Sequence, residues 1–256
     1  MAGQATLPED ECETVAACLR NIDFLDGELA LVDKSLAEHA LASPQMQRLM
    51  TLPGVSFVTA AALIAAIGDI TRFPTARHLV AYLGLNPRVR QSGSEPARHG
   101  RISKQGPGEA RHLLVEAAWH AARTTGPLRA FAERIKAKRG ANVATVAVAR
   151  KLVVIAWHML SRCEDYAFTR PSLVREKIRR AELLAGAPRR QGYRNPVRVF
   201  ATAEQHRFEK ELAAQAETAY RRLVKDWQPA INKGAGVTRG RASSKPSKGK
   251  AARQTP

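Results

Sequence analysis

Aromatic side chains are scarce: Phe, Trp and Tyr together make up 5% of the 256 residues, too few for the cross-strand aromatic pairs that reinforce many sheets. Ala and Leu dominate the apolar set instead, which favours helices packed through small residues. Cysteine is nearly absent. Cys12, Cys18 and Cys163 form neither a C-x-x-C pair nor an even set, which argues against a disulfide scaffold or a thiolate zinc site and for thiols in a reducing compartment. No run of about 18 consecutive apolar residues is present, and no basic segment followed by an apolar core opens the chain, so neither a membrane span nor a secretory leader is expected. Acids are the last deficit. Against 41 Lys and Arg stand 23 Asp and Glu, a formal charge of +18, with a pI near 10.6. That surplus exceeds what solubility needs and implies a polyanionic partner, nucleic acid before membrane, met in the cytosol.

The fold expected is mainly α, in four segments. Residues 1–44 read as a coiled-coil arm, because Val15, Ile22, Leu29 and Leu36 recur every seven residues with Cys18, Leu25 and Val32 between them, the spacing of a heptad seam. A helix over 11–41 would pair with a second copy or fold back; so few heptads leave both open. Its polar face is acidic and should avoid DNA. Residues 45–168 read as a helical domain containing a helix-hairpin-helix. The Pro53-Gly54 turn between two short helices lets backbone N–H groups near Gly54 and Ser56 approach a phosphate, although the same pattern serves an ordinary core hairpin. Asp69 reads as a cap and not a metal ligand. Residues 169–231 read as a basic linker and a last helix that begins at a Thr202/Gln205 capping box and carries the stripe Phe208, Leu212, Ala219 and Leu223. Residues 232–256 contain no acid and read as a disordered basic tail, adding salt-sensitive affinity.

The stretch from Tyr82 to Leu114 is where chemistry is expected. It holds Arg88, Arg90, Arg98, Arg101, Lys104 and Arg111 against Glu95 and Glu109, with glycines and three serines, before a helix begins. A hydroxyl attacks a phosphodiester only if it is exposed, its proton is taken up and the phosphoryl charge is neutralised. Of Ser92, Ser94 and Ser103, Ser92 lies beside Gly93, which relieves crowding where a strand would approach. Arg88, Arg90, Arg101 and Lys104 are the cations expected to face the phosphate, each of them equally suited to nonspecific backbone contact, and Ser103 is either a hydrogen-bond donor to it or a capping or turn residue. In the helix that follows, His112, Glu116 and His120 line one face at helical spacing, read as a polar stripe in preference to a metal site. The apolar helix over 142–162 reads as the most buried, with Arg150 and Lys151 on its wet side.

The order LPGVSF, GDITRF, YLGLNP, QSG and GRISK, over roughly residues 46–165, resembles the C-terminal serine domain of the IS110 (Piv/MooV) family of insertion-sequence transposases. The resemblance implies DNA transposition, with Ser92 as the nucleophile that forms a transient phosphoserine bond to a DNA end and conserves bond energy without ATP. Family members are expected to carry an N-terminal RuvC-like domain whose acids bind divalent metal such as Mg²⁺, and to use an element-encoded guide RNA. Nothing before Gln45 can be that domain, so no cofactor is expected within this chain. Two readings follow: a serine transposase component completed by a metal domain in trans, or an inactive remnant that dimerises and binds DNA or RNA.

Overall fold

The computed structural model describes residues 8–93, 98–189 and 202–226. The expected tail over 232–256, Ser94, and residues 190–201 of the expected linker lie outside the described residues. The architecture is mainly α: α1 (Glu9–Ala42), α2 (Pro44–Met50), α3 (Phe57–Ile67), α4 (Ala76–Tyr82), α5 (Gly108–Arg123), α6 (Pro127–Arg139), α7 (Ala141–Arg162), α8 (Pro171–Leu184) and α9 (Ala203–Asp226), with one antiparallel pair, β1 (Pro87–Arg90) and β2 (Arg98–Ile102), between α4 and α5.

Local chemistry sets most boundaries. Ser43 ends α1 and caps α2, its hydroxyl accepting from Met46 N at 3.3 Å, with Pro44 at the first helical position. Ser56 caps α3 in the same way through Thr59 N. Asp69 is a cap, as expected: it accepts from the Thr71 amide at 2.9 Å and hydroxyl at 2.6 Å. The capping box at the start of α9 is present, Thr202 N donating to Gln205 Oε1 and Gln205 N to Thr202 Oγ1, each at 3.2 Å.

The core gathers Leu49, Leu52, Leu63, Leu79, Leu114 and Leu152, all essentially inaccessible; burying each is worth about 2 kcal/mol. α7 is its axis, packed on α4, α5 and α6, and Trp157 donates Nε1–H to the Phe73 carbonyl at 2.8 Å. Arg150 and Lys151 are exposed, as expected. By length and composition alone α7 could cross a bilayer, with mean hydropathy 1.6, although those two cations interrupt its apolar run. Half of that stretch is buried within the fold, as a core helix is.

Three expectations are corrected. The segment from 171 to 184, read as linker, is helix α8, packed against α1, α2 and α9. Its Lys177 is turned inward, donating to the Met50 and Leu52 carbonyls at 2.7 and 2.6 Å, at a helix C-terminus where carbonyls lack partners and the dipole favours a cation. Residues 87–102, read as loop, contain the β-hairpin. On α9 the apolar stripe faces solvent, Phe208 being 61% exposed, while Ala213 and Glu217 face inward. The reason is electrostatic: Glu217 accepts from Gly126 N at 3.0 Å and pairs with Arg129 at 2.8 Å, fixing the opposite face against α6. α1 is helical as the heptad pattern predicts. Its apolar positions from Val15 to Val32 are exposed, Ile22 by 52%, and burial begins only at Ala37 and Ala40.

Candidate nucleic-acid interface

The hairpin is fastened at its base. Ser103 N donates to Asn86 O at 2.9 Å and Lys104 N to Gly84 O at 3.1 Å. Gly84 and Gly106 both have positive φ, and a Cβ on either would collide with the opposing backbone, Gln105 O in the first case and Tyr82 O in the second. Only glycine lets the two segments approach this closely. Arg111, from the first turn of α5, sends Nη1 to the carbonyls of Gln105 at 2.9 Å and Leu83 at 3.2 Å. The Y-x-G-L-x-P and G-R-I-S-K runs are therefore the two sides of one clamp.

This clamp reassigns several expected phosphate contacts. Arg111 is spent on carbonyls within the chain. Ser103 donates Oγ–H to Asn86 Oδ1 at 3.0 Å, and Arg88 Nη2 reaches the Ser103 carbonyl at 3.2 Å. Gly54, in the turn between α2 and α3, has no room for a Cβ because the Ala117 carbonyl of α5 lies against it; its smallness serves packing. Ser56 remains exposed at the α3 N-terminus, its oxygen occupied by the cap. Asn86, Gly84 and Gly106 are the clamp positions that residue chemistry alone did not single out; two glycines flanking a basic hairpin were the available signal.

Beyond the clamp the hairpin projects. Ser92 and Gly93 sit exposed at its tip, and Arg88, Arg90, Arg101 and Lys104 are exposed along and below it. The register places Arg90 opposite Arg98. The hairpin thus combines an exposed hydroxyl with several cations on a base held by backbone bonds and a guanidinium. Among the described residues no three His, Cys, Asp or Glu converge as a metal site. The stripe on α5 yields a His112–Glu116 contact at 3.3 Å, consistent with a surface pair.

Residues 46–133, from α2 to within α6, match the family described as Transposase IS116/IS110/IS902. The chain is 32% identical over 162 residues to a probable family 20 transposase of Pseudomonas aeruginosa, covering 62% of this chain and 48% of that protein. Similarity extends to the transposase for insertion sequence element IS1111A of Coxiella burnetii, 33% identical over 172 residues, 65% of this chain and 47% of that one. It reaches the pilin gene-inverting protein of Moraxella bovis at 28% over 146 residues, 55% and 45% of the two chains. The clamp and the hairpin tip both lie within the matched segment, which is similar to IS110-type transposases and supports DNA transposition and recombination as the setting. The chain spans about half the length of the curated relatives it matches.

Proposed function

We propose that this chain is the serine-bearing part of a DNA transposase that acts on DNA in the bacterial cytoplasm. Ser92 Oγ attacks a phosphodiester and gives its proton to solvent, the P–O bond to serine forms as the P–O bond to the DNA oxygen breaks, and that oxygen leaves as a hydroxyl after taking a proton; the reverse step passes the strand to a new hydroxyl. Arg90, Arg101 and Lys104 balance the phosphoryl charge, while Arg111, Ser103 and the two clamp glycines hold the hairpin in place. Gly93 leaves room beside the nucleophile. The observation that carries this reading is the exposed Ser92 at the tip of a basic hairpin whose base is locked. Divalent metal is assigned to acids supplied in trans. A structured RNA from the element is a second partner, and α1 joins two copies.

Covalent capture tests it. With labelled DNA and an acid-bearing metal domain with Mg²⁺ in trans, the native chain is expected to give a denaturant-resistant protein–DNA adduct that Ser92→Ala abolishes. Salt-dependent DNA binding by that variant is expected to stay within error. A tenfold loss of binding, about 1.4 kcal/mol, would make Ser92 a structural residue. The binding-protein reading is favoured by one observation: Arg88, Ser103 and Arg111 are all engaged within the hairpin base. DNA binding that persists with no adduct under any condition would establish it.

A further inference from the structure

Trp119 stands 58% exposed on α5, a large indole surface left to water. The Arg123 guanidinium, one turn on, lies over its ring at 5.7 Å. The ring forms a ridge between two grooves, one bounded by Ser56, Thr59 and His120, the other by Arg129, Lys136 and Thr145. Arg129 and Glu133 are taken up by Glu217 and Arg221 of α9. Arg123 and Lys136 have no carboxylate partner among the described residues.

We propose that Trp119 is a stacking platform for an unpaired base of single-stranded DNA, with Arg123 and Lys136 holding the flanking phosphates. An exposed aromatic face rimmed by cations is the arrangement by which single strands are bound, since each unpaired base offers a π-face and each linkage a charge. A duplex keeps its base faces covered. The body of a second copy is a poor occupant, because outside its acidic α1 it would bring basic surface against basic surface. The placement favours DNA over RNA. Arg111, which fastens the hairpin base, and Trp119 stand on the same helix, eight residues and about 12 Å apart along its axis, so the indole belongs to the element that holds the hairpin read as engaging DNA. This inference rests on the reading of Ser92 as the residue that engages DNA.

The test uses Ser92→Ala protein, in which covalent chemistry contributes nothing, and compares a fluorescein-labelled oligo-dT, the matching duplex and an oligo-U at about 0.15 M salt. Trp119→Ala and Trp119→Leu are expected to weaken oligo-dT binding tenfold or more and to leave the duplex within error. Trp119→Phe is expected to retain most of the affinity, and its protein to lose the indole quenching that oligo-dT produces in the parent. Equal losses on single strand and duplex, or none, overturn the platform. A Trp119-dependent preference for oligo-U overturns the assignment to DNA. Absence of a Ser92 adduct, with the Trp119 dependence intact, refutes only the nucleophile, so the two failures are distinguishable.

Discussion

Gly106→Ala should loosen the Ser92 hairpin from its base. At φ +75° an alanine enters the left-handed region, costing about 1–2 kcal/mol. Its Cβ would also lie deep inside contact with the Tyr82 carbonyl oxygen, where carbon neighbours ordinarily sit about 3.5 Å away. The segment must back off, and the bonds that retreat would break are known: Lys104 N to Gly84 O, Ser103 N to Asn86 O, and Arg111 to Gln105 O. At about 1 kcal/mol for each backbone bond and about 2 for the charged one, the total with the conformational term is about 5 kcal/mol if all are lost. If the clamp unfolds with the rest of the domain, Tm falls by about 10 °C or more; if it opens locally, Tm holds. Amide exchange separates these, because the Ser103 and Lys104 amides lose protection in either case. Gly93→Ala is the control: it shares a positive φ but meets nothing within 4 Å, and should leave those two amides as they are. Unchanged protection at Ser103 and Lys104 in Gly106→Ala would refute the clamp.

Removing Arg111's fork by Arg111→Met should cost about 2–4 kcal/mol through its two carbonyl bonds while leaving the salt slope of DNA binding unchanged, since that guanidinium is not on phosphate; a slope reduced by about one unit would return it to the DNA contacts. Desolvation alone would raise the Glu217 carboxyl, but the Gly126 amide, Arg129 and Arg221 hold it below the usual range. Its stabilisation is therefore complete above the ordinary value of 4.5 and lost as pH falls through the lower folded value. Glu217→Gln should cost about 2 kcal/mol in urea melts near neutrality and flatten the acid limb. Burial pushes the Lys177 ammonium from 10.5 down to about 8, so between those values the unfolded chain holds more protons and stability should rise with pH. Lys177→Met should abolish that rise, and a parallel curve for the variant would show that the ammonium is better solvated than its surroundings suggest.

Helices were legible where punctuation and period agreed. Ser43-Pro44, Asp69 and the Thr202/Gln205 pair announce their ends in residue types that cap, and the structure uses them as caps, whereas Ser56, read as a phosphate contact, also proves to be one. The β-hairpin was hidden because P-R-V-R and R-H-G-R-I show no apolar alternation. Only Ile102, at the end of β2, packs against the core, so little selects such a pattern, and what secures the base is the close backbone approach at Gly84 and Gly106. Segment 171–184 misled through its charges. Lys177 reaches carbonyls more than a hundred residues away, and Arg179 is buried, pairing with Glu182 at 2.8 Å and donating to the Pro188 carbonyl. Neither partnership leaves a periodic trace. On α9 the stripe was real and its direction was not, since a single buried carboxylate with its Arg partner outweighed the burial of Phe208. Ser92 itself was legible as an exposed hydroxyl between cations. The internal employment of Ser103 and Arg111 was not, because a basic or hydroxyl residue looks alike in sequence whether it serves phosphate or carbonyl.

Charge is divided within the chain in a way that gives the arm and the body opposite responses to salt. Nine of the 23 acids and only two of the 41 Lys and Arg fall within α1, leaving the remainder at +25. DNA binding by that remainder should weaken steeply as salt rises, because phosphate neutralisation releases counterions. The arm should do the reverse. If two copies of α1 pair in parallel through Ile22, Leu25, Leu29 and Val32, the flanking heptad positions set Glu28 beside Asp33 of the opposite helix, a like-charge contact that salt screens. Sedimentation of the DNA-free protein should therefore show a dimer that tightens with added salt, and Ile22→Glu with Leu29→Glu should leave a monomer whose DNA binding remains salt-sensitive. A dimer that dissolves with salt would mean instead that the acidic arm of one copy lies on the basic body of another. The seam formed by Ile22 and Leu29 would then be the wrong interface.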